Sequence, residues 1–166
     1  MTFYIFRHGE TFFTKNDVPY GDSYETAEII PEAVPVIEKI GNYLNDKLEN
    51  NNYTSPFKRA LQTVEIVEKI TGKKFISDVR LSEERVSHAK ETLAQMEERL
   101  RSFLNDVKKE NPESVAICSH GWPIAALISI ITKDRVTKFD LSCYPKCGVL
   151  TVIKGTEKKT LDFNEK

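Results

Sequence analysis

The chain has 166 residues, 40% of them hydrophobic, with 24 basic against 25 acidic side chains and a formal net charge of −1. That is length enough for one globular domain with a real core, and the balanced charge without any Lys/Arg-rich block argues against nucleic acid or an anionic membrane as the main partner. The apolar run after Met1 and the one from Ile124 to Ile131 are both too short for a signal peptide or a membrane span, so the expected location is the cytosol.

Thr2-Phe3-Tyr4-Ile5-Phe6 is a β-branched and aromatic run that reads as a strand buried on both faces, and Arg7, His8 and Gly9 follow it directly. A buried strand that ends in a cation, an imidazole and a residue free to adopt positive φ delivers polar groups to the open end of a sheet, where α/β proteins bind ligands. Phe12 to Ile30, with Pro19 and Gly21, is too long for a simple connection and reads as irregular chain lining the same site. Pro31 suits a first helical position. Val34, Ile37, Ile40, Leu44 and Leu48 then recur at helical spacing up to the Asn50-Asn51-Asn52 turn, with Pro35 bending the first turn or delaying the start.

Tyr53-Thr54 reads as a weak strand, and Ser55-Pro56 as a helix N-cap followed by proline at the first helical position. Ala60, Leu61, Val64, Val67 and Ile70 mark the apolar face of that helix, which stops at Gly72. A short strand is expected around Phe75-Ile76 and a loop over Val79 to Val86. The longest helix follows, from about His88 to Glu110, on the stripe Leu93, Met96, Leu100, Phe103 and Val107. Ser114 to Cys118 reads as a second fully buried strand, ending in Ser119-His120. Gly121 follows and Trp122-Pro123 opens an apolar helix to Ile131, so His120 lies at a helix N-terminus, where backbone N–H groups and the dipole attract anions. Gly148 to Lys154 and Lys159 to Phe163 form a hairpin around Lys154-Gly155-Thr156.

Cys118, Cys143 and Cys147 form an odd set without a secretory signal, which fits reduced thiols; no second Cys or His pair at ligand spacing accompanies Cys143 and Cys147, so no metal is expected there. Asn52-Tyr53-Thr54 matches the glycosylation pattern, which has no consequence in a chain that is not exported.

Two buried strands thus end in X-His-Gly, and the Ser-Pro helix carries Arg59 in its first turn. Arg7, His8, Arg59 and His120 combine two permanent cations that donate bidentately with two imidazoles that titrate near pH 7, a setting for phosphate. Arginines beside the histidines repel a cation and no carboxylate pair is placed to help, so no metal cofactor is expected. The chemistry open to such a site is phosphoryl transfer to an imidazole. A neutral histidine held by a carbonyl or carboxylate attacks phosphorus in line, the arginines and second histidine stabilise the charge on the equatorial oxygens, and water releases phosphate. An ester leaving group also needs a proton from a carboxylic acid, and Glu83 in the loop after the Arg59 helix is the candidate.

At this point the residues resemble the histidine phosphatases of the phosphoglycerate-mutase-like superfamily. Arg7-His8-Gly9-Glu10-Thr11 after a first strand resembles its signature, Ser55-Pro56-Phe57-Lys58-Arg59-Ala60-Leu61-Gln62-Thr63 its second arginine motif, Leu81-Ser82-Glu83 its acid loop and Ser119-His120-Gly121 its second histidine. The four occur in the family's order and span nearly the whole chain. The resemblance implies a three-layer α/β/α sandwich with a mostly parallel central sheet and no cofactor. It also implies His8 as the phosphorylated nucleophile, Arg7, Arg59 and His120 with its neighbour Gly121 as the phosphate pocket, and Glu83 as the proton donor.

Three departures accompany it. Where the family often has a phosphate-contacting Asn six residues after the nucleophile, this chain has Thr14, with Asn16 two positions later, and both are candidates for that contact. The Gly and Trp-Glu-Gly that often follow the acid are replaced by Glu84-Arg85-Val86-Ser87-His88, which makes Glu84 a rival for Glu83. Between Glu83 and His120 there is room for little more than one helix, where mutases carry extra helices. A mutase must shield its phosphorylated intermediate from water under a lid. The expectation is therefore a phosphatase with an open pocket acting on a phosphorylated small molecule, ahead of a phosphoglycerate mutase, a phosphohistidine phosphatase or a non-catalytic phospho-ligand-binding module.

Overall fold

A computed structural model of the chain describes residues 1–83 and 91–164. Within them, strands β1 (Thr2–Arg7), β2 (Asn52–Thr54), β3 (Phe75–Ser77), β4 (Ser114–Ser119), β5 (Val149–Lys154) and β6 (Glu157–Asp162) form one sheet in the order β3-β2-β4-β1-β5-β6. The first four run parallel in space, and β5 and β6 are antiparallel to their neighbours. Helices α1 (Phe12–Asn16), α2 (Val34–Leu44), α3 (Lys58–Thr71), α4 (Leu93–Glu110), α5 (Gly121–Lys133) and α6 (Lys138–Ser142) connect them.

Period-two alternation sorts the strand side chains into two cores. Phe3, Ile5, Val115, Ile117 and Ile153 face the layer of α4, α5 and α6, against Leu100, Phe103, Ile124, Leu127 and Leu141. Phe6, Ala116, Cys118 and Leu150 face the layer of α2 and α3, against Ile37, Ile40, Val64 and Val67. The result is the three-layer α/β/α sandwich with a mostly parallel sheet. β4 lies at its centre, buried at all six positions, which is why its sequence is almost continuously apolar.

Element boundaries depart from the sequence reading where polar side chains act locally. The hydroxyls of Thr11 and Thr14 form a reciprocal capping box that turns Phe12–Asn16 into a short helix inside the segment expected to be irregular. Pro31–Ala33 is a 3₁₀ turn that continues into α2, whose early Pro35 lacks only an N–H that the first turn leaves unpaired; α2 stops at Leu44, although Leu48 is also buried. α4 begins at Leu93, later than the expected His88, because Thr92 and Gln95 make a second capping box. His88 itself lies outside the described residues. α3 starts at Lys58 after a Phe57 cap with no side-chain bond, so Ser55 is not its N-cap, whereas Gly72 closes it in the left-handed conformation at φ 68°. Of the expected Val79–Val86 loop, Val79–Leu81 is a 3₁₀ turn capped by Asp78, and the part from 84 onward lies outside the described residues. Cys118, Cys143 and Cys147 are all free thiols, with Cys118 buried and Cys143 exposed. Among the described residues no helix is long and apolar enough to cross a membrane.

Candidate active site

The register of β1 on β4 sets Arg7 opposite Ser119, so the residues that leave the two strands emerge side by side. The His8 N–H donates to the Ser119 carbonyl at 3.0 Å, and the His8 and His120 ring centroids lie 5.1 Å apart, both side chains fully buried. Gly9 permits this packing: a Cβ there would lie 2.6 Å from the Ile37 Cδ1. Its N–H donates to the Thr63 hydroxyl at 2.8 Å, which itself donates to the Arg59 carbonyl at 2.6 Å, so α3 is latched to the chain that follows His8.

Arg59, in the first turn of α3, is fully buried. Its Nη1 donates to the Tyr24 carbonyl at 2.6 Å, and its guanidinium carbon lies 4.2 Å from the Tyr20 ring centroid and 5.2 Å from that of Phe57. Arg7 lies 5.2 Å from the Tyr144 ring centroid. Cation–π contacts of this kind hold a guanidinium in place while leaving its N–H edge available.

The turn carrying Glu83 is fastened from both sides. Arg80 pairs with Asp78 and with Asp106 of α4, each at 2.7 Å, and the Ser119 hydroxyl donates to the Leu81 carbonyl at 2.7 Å. Glu83 Oε2 is thereby brought within 3.9 Å of His120 Nδ1.

Among the described residues, the buried side-chain polar atoms without a hydrogen-bond partner are Arg7 Nε, His8 Nε2, Arg59 Nε and Nη2, Ser82 Oγ and His120 Nδ1. Each such orphan costs about 1–3 kcal/mol, so their concentration at the ends of β1 and β4, in the first turn of α3 and beside Glu83 marks a cradle whose natural occupant is an oxyanion. A carbonyl only accepts, so the 2.8 Å contact from His8 Nδ1 to the Gly9 oxygen fixes the proton on Nδ1 and leaves Nε2 with a lone pair facing the cradle.

Burial, reinforced by Arg7 and Arg59, pushes the His8 pKa well below the ordinary 6.5, against a smaller opposing effect of the Gly9 carbonyl. Burial, Arg59 and His8 do the same to His120. Both imidazoles are therefore neutral in the native chain at pH 7. Their depressed pKa values stabilise the fold fully above pH 6.5, and that contribution is lost as pH falls toward the native values, because only the unfolded chain then takes up the protons. The expected unfolding free energy, followed in urea, drops below pH 6.5 by about 1.4 kcal/mol per pH unit for each histidine, and His8→Asn and His120→Asn each flatten that limb. A limb unchanged in both variants would assign the acid sensitivity to carboxylates.

Arg7, His8, Arg59, His120 and Glu83 are thus brought together, and Gly121 is the first residue of α5, so close to Tyr144 that a Cβ would sit 3.1 Å from its ring. Thr14 lines a cavity with Arg7 and Gly9, and both it and Asn16 are engaged locally. The Thr14 hydroxyl bonds the Thr11 backbone N–H at 2.8 Å, and the exposed Asn16 amide donates to the Phe12 carbonyl at 2.7 Å, so both complete α1. Glu84 lies outside the described residues. Sequence reasoning overlooked Ser55, Thr63, Tyr20 and Tyr144. Thr63 had one signal, its position four residues after Arg59 on the same helical face; Tyr20 lay in the Phe12–Ile30 segment read as lining the site, and Tyr144 had none. A cleft of about 910 Å³ adjoins the site, lined by Asp22, Tyr24, Phe57, Leu61, Val79 and Ser82.

The sequence model of the histidine phosphatase superfamily (branch 1) matches residues 3–89 and 83–164. A relative from Hydrogenobacter thermophilus, provisionally named phosphoserine phosphatase 2, is 21% identical over 98% of this chain and 94% of its own length. Among solved structures, a mycobacterial glucosyl-3-phosphoglycerate phosphatase complexed with VO3 superimposes with a TM-score of 0.77 at 17% identity, covering 96% of each chain. A phosphoglycerate mutase from Bacillus anthracis gives 0.70 at 16% identity, covering 98% of this chain and 93% of that one.

Proposed function

The chain belongs to the histidine phosphatase superfamily, and from that premise we propose that it is a metal-independent phosphatase that hydrolyses phosphomonoesters through a phosphohistidine intermediate on His8. The observation that carries the reading is the ring of orphaned donors, Arg7 Nε, Arg59 Nε and Nη2 and His120 Nδ1, around the lone pair of a neutral His8 Nε2.

In the first step His8 Nε2 forms a bond to phosphorus as the ester P–O bond breaks, and the departing oxygen takes the proton of Glu83. The guanidinium and imidazole N–H groups hold the equatorial oxygens, whose charge they meet without reorganising. In the second step Glu83 accepts a proton from water as the water oxygen attacks phosphorus. The N–P bond breaks, its electron pair returns to Nε2, and phosphate leaves. The alcohol part of the substrate occupies the cleft that includes Tyr24 and Phe57. Hydrolysis is favoured over a mutase reaction because, among the described residues, α4 is the single helix between Glu83 and β4.

The test is leaving-group dependence, measured as phosphate release in excess chelator. Glu83→Gln should lower kcat/KM for an alkyl phosphate about a hundredfold or more while sparing phosphorylation of His8 by an activated aryl phosphate. Equal losses on both esters would remove Glu83 as the acid, activity that requires an added divalent ion would defeat the metal-free mechanism, and phosphoryl transfer to an added phosphoglycerate outrunning release to water would make the chain a mutase.

A further inference from the structure

His120 has a second partner that the mechanism above does not use. Its Nε2 lies 2.7 Å from the Ser55 hydroxyl, both residues fully buried. Ser55 sits in the chain between β2 and α3 with its own N–H on the Cys118 carbonyl at 3.0 Å, and its Oγ accepts the Phe57 N–H at 3.3 Å. With one lone pair engaged by Phe57, the hydroxyl needs an acceptor for its proton, and the acceptor placed beside it is His120 Nε2.

We propose that Ser55 is a positioning residue that fixes His120 as the Nδ1–H tautomer, so that this imidazole presents a neutral N–H donor to the phosphoryl group. The opposite tautomer would strand the Ser55 proton without an acceptor. It would also turn a lone pair in place of an N–H from His120 Nδ1 toward the oxyanion cradle, a repulsion against the phosphoryl oxygens. His120 then matches His8, whose Nδ1 proton is fixed by the Gly9 carbonyl, but the two rings aim opposite atoms at the cradle: a lone pair from His8 and a proton from His120. Ser55 acts through His120 and touches no reacting atom. The catalytic half of this inference rests on the phosphatase reading; the tautomer half does not.

The chain has three histidines, His8, His88 and His120, so a nitrogen-15 histidine spectrum can be assigned by single replacements. In the ligand-free wild type, His120 should show a protonated Nδ1 and a pyridine-type Nε2. Ser55→Ala should shift His120 toward the Nε2–H form while leaving the His8 signals in place, Ser55→Thr should restore the pattern, and kcat/KM for an aryl phosphate should fall about 10- to 100-fold in Ser55→Ala and recover in Ser55→Thr. An Nε2-protonated His120 in the wild type, or an unaltered tautomer in Ser55→Ala, overturns the assignment. A shifted tautomer with unchanged kcat/KM overturns the positioning role. A chain that hydrolyses none of the esters loses the phosphatase reading, while the spectrum still decides the tautomer.

Discussion

His8→Ala is expected to lower phosphate release by about four orders of magnitude or more, because it removes the atom that attacks phosphorus in the proposed mechanism. The arginines and His120 remain to bind phosphate, so the loss should fall on kcat. Phosphate should still bind the variant with affinity within about tenfold of the wild type. Rapid quenching of the wild type with labelled substrate should trap an acid-labile, base-stable phosphoryl group, the behaviour of a phosphoramidate, and the variant should trap none. Folding should survive, because the substitution deletes a buried ring whose Nε2 has no hydrogen-bond partner within the protein. Substantial turnover in a folded His8→Ala chain would mean that water attacks directly and that the N–P intermediate does not lie on the path.

Arg59→Ala should cost about a hundredfold or more in kcat/KM, since Arg59 supplies two of the orphaned donors and each charge-assisted bond to a developing oxyanion is strong in a buried site. Arg59→Lys discriminates charge from geometry. The guanidinium uses Nη1 on the Tyr24 carbonyl and its plane against Tyr20, and still has Nε and Nη2 for the substrate. An ammonium offers a point charge with no fork, so lysine is expected to recover less than about a tenth of the lost activity. Inhibition by vanadate, a mimic of the pentacoordinate state, should weaken in parallel with kcat/KM. Full recovery by lysine would show that only the positive charge matters.

The frame of this site was legible because it follows from chain rules that need no tertiary knowledge. A strand buried on both faces must be nearly all apolar, so the abrupt polar residues Arg7-His8 and Ser119-His120 stood out as strand ends, and parallel pairing of β1 with β4 set them side by side. Gly72 stopped α3 as expected. The reading failed where one polar side chain had two possible employers. Ser55 before Pro56 has the local signature of an N-cap, yet its hydroxyl is taken by His120, sixty-five positions away in sequence. Thr14, a candidate phosphate contact, also closes a helical turn with Thr11, a second employment that its sequence position does not announce. Tyr20 and Tyr144 reach the arginines from the chain around α1 and the chain after α6, and an aromatic in such a segment carries no periodic signal to say what it covers.

The pairing of Thr2 with Ser114 and Arg7 with Ser119 also governs when the site comes into being. These two strands are neighbours in the sheet but far apart in sequence, with α2, β2, α3, β3 and α4 among the elements between them. Closing so large a loop is entropically slow, and its return comes only when β4 enters between β2 and β1. Until then His8 and His120 belong to separate segments and nothing holds Gly9 to α3. A nascent or partly folded chain therefore lacks the paired histidines, and the site forms only once this long-range strand pairing is made.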